Sequence, residues 1–142
     1  EAGSEVVEVG SPAVHETCFD HDLQLPTHRF RPERSFGGQR FVRYKGDRAD
    51  WLSSHRYGVK ISDTGISAAT DRLIDVKIAR ASQGASFSLA TVSAMKSVFL
   101  FVLKGSVENM AKTVDTGESL VSNETADIVE CPPGTELLIV GF

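Results

Sequence analysis

Short runs of β-branched and aromatic residues recur along the chain, and such runs predict β-strands. LIDVKIAR (73–80) alternates apolar and polar positions, which is typical of a half-buried strand. VFLFVL (98–103) is a continuous apolar run, and it predicts a core strand because it is short and leads into Lys-Gly. The predicted strands cover residues 5–9, 39–44, 73–80, 85–92, 97–104, 118–122, 127–130 and 135–140.

Turn residues separate these runs at intervals of about a dozen residues in the second half, which suits an all-β sandwich or barrel. The clearest turns are Gln83-Gly84, Lys104-Gly105, Asp115-Thr116-Gly117 and Pro132-Pro133-Gly134. Helix is predicted only as short turns near residues 47–54 and 66–72. Residues 15–38 lack clear periodicity and predict an arm or a long connector.

The length of 142 residues predicts one domain with a core of ordinary size. We divide it into an N-terminal strand and extended arm (residues 1–38) and a β-barrel (residues 39–142). Residues 5–10 and 136–141 are similar to each other, each an apolar strand that ends at glycine. If the repeat is real, the chain starts with the last strand of a preceding barrel.

Composition narrows the class of protein. Hydrophobic residues make up 41% and charged residues 24%, as in globular proteins, and the net charge of −4 does not suit a nucleic-acid partner. No run approaches the ~20 apolar residues of a membrane span, and the acidic N-terminus is unlike a signal peptide. We expect a cytoplasmic protein in which Cys18 and Cys131 are free, buried thiols.

One basic segment stands out against the acidic chain. Within residues 29–48 the basic side chains are Arg29, Arg31, Arg34, Arg40, Arg43, Lys45 and Arg48, offset only by Glu33 and Asp47. The segment is either a site for an anionic ligand or a solvated loop of mixed charge.

From residue 57 onward, the order of motifs resembles a small bacterial cupin. Val102-Leu103-Lys104-Gly105 is similar to the end of the first cupin motif, and Asp115-Thr116-Gly117 to the start of the second. The run from Pro133 to Val140 is similar to the closing strand. The resemblance implies an all-β, cupin-like double-stranded β-helix, or jelly-roll barrel. Residues 8–17 resemble the segment that follows the closing strand of a cupin. The resemblance therefore also implies that the chain is the C-terminal half of a bicupin.

The same resemblance implies where metal ligands would fall. Two histidines would lie near Thr91 and Ser93, a Glu or Gln near Val98, and a third histidine near Ile128. None of these residues is a ligand for the metals that cupins bind, and residues 81–123 contain no His or Cys in any register. The metal site is degenerate, so we predict neither a metal nor another cofactor.

All four histidines lie earlier, at His15, His21, His28 and His55. The cluster that His15 and His21 form with Glu16, Asp20 and Asp22 is either a metal site or a chance grouping in a loop. An acid/base role for His21 or His55 also stays open, since it needs only geometry and a tuned pKa.

The candidate ligand-binding residues are Phe87, Phe99, Phe101, Arg40 and Arg43. The three phenylalanines either line a pocket inside the barrel or fill its core. Trp51 is interpreted as a cap on the barrel or part of an interface.

These observations favour a metal-free, non-catalytic structural, oligomerisation or regulatory domain. We expect a homodimer, or pairing with another cupin barrel, in which the N-terminal arm joins the interface. One alternative is a barrel that binds a small organic acid or sugar. Another is part of a bicupin dioxygenase or isomerase whose metal site lies in the other half.

Overall fold

The computed structural model describes residues 6–10, 33, 35–54, 57–109, 112–124 and 126–142. The chain divides into two compact units, Glu1–Arg31 and Pro32–Phe142. In the first unit, residues 6–10 form no regular secondary structure, and Val6 is 84% exposed. The predicted strand at 5–9 is therefore wrong for residues 6–9, because β-propensity produces a strand only where a partner strand and a packed face support it.

The second unit is built from short strands. Its described residues contain β1 (Ser35–Phe36), β2 (Gln39–Arg40), β3 (Leu52–Ser54), β4 (Val59–Asp63), β5 (Asp75–Ala81), β6 (Ala85–Ser88), β7 (Val98–Lys104), β8 (Ser106–Asn109), β9 (Lys112–Asp115), β10 (Ser119–Ser122), β11 (Ile128–Cys131) and β12 (Thr135–Gly141). They also contain a 3-10 turn (Gly46–Arg48) and two single-turn helices, α1 (Ile66–Ala69) and α2 (Leu89–Val92). The predicted all-β class is confirmed. Neither α1 nor α2, the α-helices of the described residues, is long enough to cross a membrane.

Two antiparallel sheets form the barrel. The larger has the order β10-β7-β12-β5-β4-β3, and the smaller has the order β6-β11-β8-β9. β12 lies between β5 and β7, and Leu137 pairs with Ala79 on one side and Val102 on the other. β1 and β2 form a separate hairpin that spans the predicted domain boundary at residue 38; that boundary stays a prediction.

The inward faces of both sheets share one hydrophobic core. On β7, Val98, Leu100 and Val102 are each 0% exposed, and the alternate residues Phe99 and Phe101 are half-buried. The smaller sheet contributes its inward residues to the same cluster. The core residues are Val59, Ala79, Ala81, Phe87, Leu89, Val92, Val98, Leu100, Val102, Val107, Val114, Val129, Cys131, Leu137 and Ile139.

Two glycines are required by close approach as well as by positive φ. Gly58 has φ +69, and a Cβ there would lie 2.5 Å from the carbonyl oxygen of Gly84. Gly105 has φ +81, and a Cβ there would lie 2.9 Å from Thr135 Oγ1. Both turns therefore hold neighbouring strands closer together than a side chain permits.

Several element boundaries differ from the prediction. The predicted strand 85–92 ends at Ser88, because the next four residues form α2, and 39–44 is a strand only over Gln39–Arg40. β1, β3, β4, β8 and β9 were not predicted, and the helical turn predicted near 47–54 is wrong at its end, where Leu52–Ser54 pair with β4 as strand β3. β8 contributes one buried residue, Val107, and β9 contributes one, Val114. The hydrophobic pattern of these two strands is therefore too weak to detect in the sequence.

Replacing a core leucine tests the packing. Leu100→Ala should lower the free energy of unfolding by about 2–5 kcal/mol, since Leu100 is wholly buried and the barrel cannot collapse around the cavity. Leu52→Ala is the matched control, because Leu52 is 76% exposed and its loss should change stability by less than about 0.5 kcal/mol. Urea unfolding followed by circular dichroism measures both. Equal losses in the two variants would contradict the assigned core.

Candidate functional site

Two of the four positions that the resemblance assigns to cupin metal ligands carry aliphatic side chains. Val98, at the start of β7, is 0% exposed and belongs to the core. Ile128, the first residue of β11, is 57% exposed. Neither side chain has an atom that can coordinate a metal.

The other two positions carry hydroxyl groups at the end of α2. Thr91 Oγ1 lies 3.2 Å from Ser88 Oγ. Ser93 is 2% exposed, and its Oγ accepts a hydrogen bond from the backbone N–H of Met95 at 3.2 Å. Both hydroxyls are therefore engaged in local hydrogen bonds.

This set of side chains does not fit a divalent metal, which cupins hold with imidazole and carboxylate. Within the residues that the structure describes, no three His, Cys, Asp or Glu side chains converge as a metal site. The candidate cluster around His15 and His21 lies outside those residues, as do His28 and His55. Metal binding or acid/base chemistry by these histidines stays a prediction.

An ammonium group lies beside the hydroxyl positions. Lys77 Nζ donates to Asp75 Oδ2 and to the carbonyl oxygen of Val92, both at 2.7 Å. Asp75 is 8% exposed. The contacts tie β5 to the end of α2, between Thr91 and Ser93.

The first part of strand β5 has polar residues inside and apolar residues outside. Asp75 and Lys77 share the inward face of β5 with Ala79 and Ala81, which are core residues. Val76 and Ile78 are half-buried on the opposite face. The alternation of LIDVKIAR was correctly detected, but hydrophobicity alone does not show which set faces the core. The sequence analysis therefore missed the Lys77–Asp75 pair.

The outer face of the six-stranded sheet carries two apolar rows that run across the strands, and we call it the apolar face. The first row consists of Val76, Val140, Phe99 and Val121, and the second consists of Ile78, Leu138 and Phe101. Val140 is 2% exposed without belonging to the core cluster, and Val121 is 60% exposed. The neighbouring row is charged and contains Lys60, Arg80, Glu136 and Lys104.

The outer face of the four-stranded sheet is polar and acidic by contrast. Glu130 on β11 pairs directly with Glu108 on β8, and both are exposed. Their neighbours on adjacent strands are Ser86 and Thr113. A depression of about 450 Å³ lies over Glu108, Ala126, Asp127, Ile128 and Glu130.

The structure does not bring the three phenylalanine candidates together. Phe87 is 2% exposed in the core, and Phe99 and Phe101 lie on the apolar face. Of the three phenylalanines, only Phe87 fills the core. Whether any of the three contacts a ligand stays a prediction.

The two arginine candidates have different surroundings. Arg40 Nη2 donates to the carbonyl oxygen of Ala68 at 3.2 Å. Arg43 lines a cleft of about 320 Å³ together with Tyr44, Lys45, Arg48, Ala49, Asp50, Asp63 and Thr64. Asp63 is already engaged, because its Oδ1 accepts from the backbone N–H of Gly65 at 2.7 Å. Ligand binding by Arg40 and Arg43 stays a prediction.

The Trp51 ring stacks on Arg80, a member of the charged row. The guanidinium carbon of Arg80 lies 4.3 Å from the centre of the Trp51 ring, and Arg80 Nε lies 3.2 Å from Glu136 Oε1. The ring therefore covers this end of the six-stranded sheet through a cation–π contact.

Comparisons with known proteins identify the fold. No family model matches the chain, and no curated protein matches it. An RmlC-like cupin from Shewanella frigidimarina superimposes with a TM-score of 0.56 and 17% identity, over 73% of this chain and 92% of that one. An RmlC-like cupin from Ralstonia eutropha gives a TM-score of 0.54 and 11% identity, over 72% and 69%.

A third neighbour comes from a protein complex, that of Rhodobacter sphaeroides SigE with the anti-sigma ChrR. It gives a TM-score of 0.53 and 10% identity, over 69% of this chain and 51% of that chain. These likenesses show that the chain has the cupin fold, which confirms the predicted jelly-roll barrel.

Removing the half-buried ammonium tests the Lys77 contacts. Lys77→Met should lower the free energy of unfolding by about 1–3 kcal/mol, because Asp75 would stay buried without its partner. The double variant Asp75→Asn with Lys77→Met should recover part of the loss, since no uncompensated charge remains. Thermal and urea unfolding measure the variants. A double variant no more stable than Lys77→Met would show that the ion pair is not what matters.

The buried thiol predicts a pH dependence. Burial raises the pKa of Cys131 from 9.0 to about 12. Because the folded pKa is the higher one, the stability that the neutral thiol contributes is complete below pH 9 and is lost as the pH rises toward 12. The free energy of unfolding should therefore fall more steeply above pH 9 in the native chain than in Cys131→Ala. Parallel curves for the two proteins would rule this out.

Proposed function

We propose that this chain is a metal-free cupin-fold barrel that acts as a non-catalytic structural, oligomerisation or regulatory domain. One observation carries the proposal: the positions that correspond to the metal ligands hold aliphatic and hydroxyl side chains, and the barrel interior beside them is packed. Val98 is part of that packing, with 0% exposure. A metal would need several nitrogen or oxygen donors that converge on one point, and these residues do not supply them.

The Lys77 contacts support the same conclusion. The ammonium is held at 2.7 Å from the Val92 carbonyl oxygen, between the two positions where the first cupin motif would place histidines. The same ammonium is paired with Asp75 Oδ2 at 2.7 Å, so the carboxylate two residues away on β5 is already engaged. These positions therefore lack metal ligands, and the neighbouring carboxylate is held by Lys77.

The exterior supports a role in protein contacts. The apolar face is formed by residues from four adjacent strands, with Val121 60% exposed at its edge. Contiguous apolar surface on a folded domain is characteristic of contact sites. The neighbour from the SigE–ChrR complex comes from an assembly of proteins. The partner that we propose is a second copy or another cupin barrel.

Metal analysis tests the proposal. The chain, purified without chelators and then dialysed against iron, manganese, nickel or zinc, should retain far less than one ion per chain by plasma mass spectrometry. The matched variant replaces His15 and His21 by Gln. It separates any ion held near those histidines from an ion in the barrel.

One ion per chain that persists in the histidine variant would overturn the proposal. An ion that disappears in that variant would place metal binding at His15 and His21, outside the barrel, and would leave the barrel proposal intact. The bicupin alternative is tested in the same way on a longer protein, where stoichiometric metal would have to lie in the other half.

A second candidate function is binding of a small anion, such as an organic acid, at the Arg43 cleft. In the described part of the chain, Arg43, Lys45 and Arg48 form no ion pair, although all three line the same cleft. The cleft also contains Asp50 and Asp63, so its net formal charge of +1 suits a single carboxylate.

Thermal unfolding across a panel of organic acids and sugars tests this second function. An acid that binds should raise the melting temperature of the native chain in proportion to the logarithm of its concentration. Arg43→Gln should abolish the shift, and Arg72→Gln is the control because Arg72 is exposed and does not line the cleft. A shift that survives Arg43→Gln, or no shift with any compound, would exclude the cleft as the site.

A further inference from the structure

We propose that a cleft at the end of β5 where the turn of residues 82–84 begins binds a phosphate monoester, and we call it the turn cleft. The turn cleft has a volume of about 450 Å³. Its lining includes Ser53, Gly58, Lys60, Ser82, Gln83 and Gly84. It lies at the opposite end of β5 from Asp75, since the turn follows Ala81, the last residue of that strand. The site goes beyond the proposed function, because it uses neither the metal positions nor the Arg43 cleft.

Two glycines fix the shape of the turn cleft. Gly58 has φ +69 and Gly84 has φ +89, a region of backbone conformation that favours glycine. A Cβ on Gly58 would lie 2.5 Å from the carbonyl oxygen of Gly84, and a Cβ on Gly84 would lie 3.4 Å from the carbonyl oxygen of Cys131. The backbones of these turns are therefore in direct contact, and the wall that they form does not depend on a ligand for its shape.

Lys60 brings a positive charge to the turn cleft that the described residues do not neutralise. Lys60 lies directly opposite Arg80 on β5, and like charges in that position repel each other. Arg80 has two partners of its own, since its Nε lies 3.2 Å from Glu136 Oε1 and its guanidinium carbon lies 4.3 Å from the centre of the Trp51 ring. In the described part of the chain, Lys60 forms no ion pair. An anion in the turn cleft would pair with the ammonium and offset its repulsion from Arg80.

Uncharged donors lie beside the ammonium. Ser53 on β3 pairs directly with Lys60, so the hydroxyl and the ammonium lie on the same face of the sheet. Ser82 and Gln83 add a hydroxyl and an amide from the turn that follows β5. Within the described ranges, the side chains of Ser53, Ser82 and Gln83 form no hydrogen bond, and all three residues are exposed. These groups are therefore available to a ligand.

This donor set favours a phosphate monoester over a carboxylate. A phosphate group presents three tetrahedral acceptor oxygens, and a lysine ammonium binds it as a point charge with three N–H donors. The described lining of the turn cleft contains no guanidinium, the planar group that matches a carboxylate. A cleft of about 450 Å³ is large enough for a small ligand, so the polar body of the ester would lie against Gln83 and the two serines.

Isothermal titration calorimetry with glycerol 3-phosphate tests the site. The native chain should bind one molecule per chain, and Lys60→Gln should raise the Kd by at least about tenfold, because it removes the cation of the described lining. Gln83→Ala should raise the Kd by a smaller factor of about three, since it removes a neutral hydrogen bond. The matched control is Lys104→Gln, which removes the same charge from the charged row outside the turn cleft and should change the Kd by less than about twofold.

Amide NMR spectra locate the bound phosphate. During the titration the backbone signals of Gly58, Gln83 and Gly84 should shift, whereas those of Arg43 and Arg48 should stay in place. Shifts confined to Arg43 and Arg48 would place the anion in the Arg43 cleft and would overturn the inference.

Glycerol and acetate are the ligand controls, and each should bind more weakly than glycerol 3-phosphate. The inference is overturned if glycerol 3-phosphate does not bind, or if acetate binds equally well. It is also overturned if Lys60→Gln leaves the Kd unchanged, or if Lys60→Gln and Lys104→Gln weaken binding equally. The metal-free proposal is tested separately, since an ion in the barrel would contradict it and leave the turn cleft unaffected.

Discussion

The packing of aliphatic side chains between the two sheets is the constraint on which the rest of this structure depends. β12 is central to it, because it pairs with β5 and β7 at once and directs Leu137 and Ile139 into the core. Most inward positions of the described strands are filled by apolar side chains, and the buried polar exceptions include Asp75 on β5, Ser122 on β10 and Thr135 on β12. Burial of apolar surface is the main stabilising contribution of such an interior.

That packing also determines what the barrel can do. A cupin fold that holds a metal must keep polar ligands inside, and it must leave room for the ion. Here Val98, at one of the positions that the resemblance assigns to a ligand, is part of the core, and Lys77 Nζ contacts the carbonyl oxygen of Val92 between two others. Under the proposed function, the surfaces that act are the outer faces of the sheets and the loops.

The two outer faces differ in a way that follows from strand register. Because the side-chain period of a strand is two, each strand presents one set of residues to the core and the other to its outer face. On β5, β7 and β12 both sets are largely apolar, so burying one set leaves the other on the exterior. On β8 and β11 the outward set includes Glu108 and Glu130, and that exterior is acidic.

The sequence was sufficient to predict the all-β fold and the central strands β7 and β12, since continuous apolar runs bounded by turn residues leave few alternatives. The assignment of non-ligand residues to the metal positions rests on the resemblance alone and stays a prediction. The sequence could not predict β8 and β9, where Val107 and Val114 are the only buried residues. Nor could it predict which face of β5 is directed into the barrel. Asp75 and Lys77 face inward, where Lys77 donates to the carbonyl oxygen of Val92, fifteen positions away from it in the sequence.

The methyl groups of core residues on β7 and β12 allow the most direct test of the central claim, that the barrel holds no metal. Manganese(II) is paramagnetic and broadens NMR signals of nearby nuclei, so it can be added to methyl-labelled protein in increments. We predict that the methyl signals of Val98, Leu100 and Ile139 keep their intensity at one equivalent of manganese, since the barrel holds no ion. Selective broadening of those core signals at stoichiometric manganese would contradict a metal-free barrel.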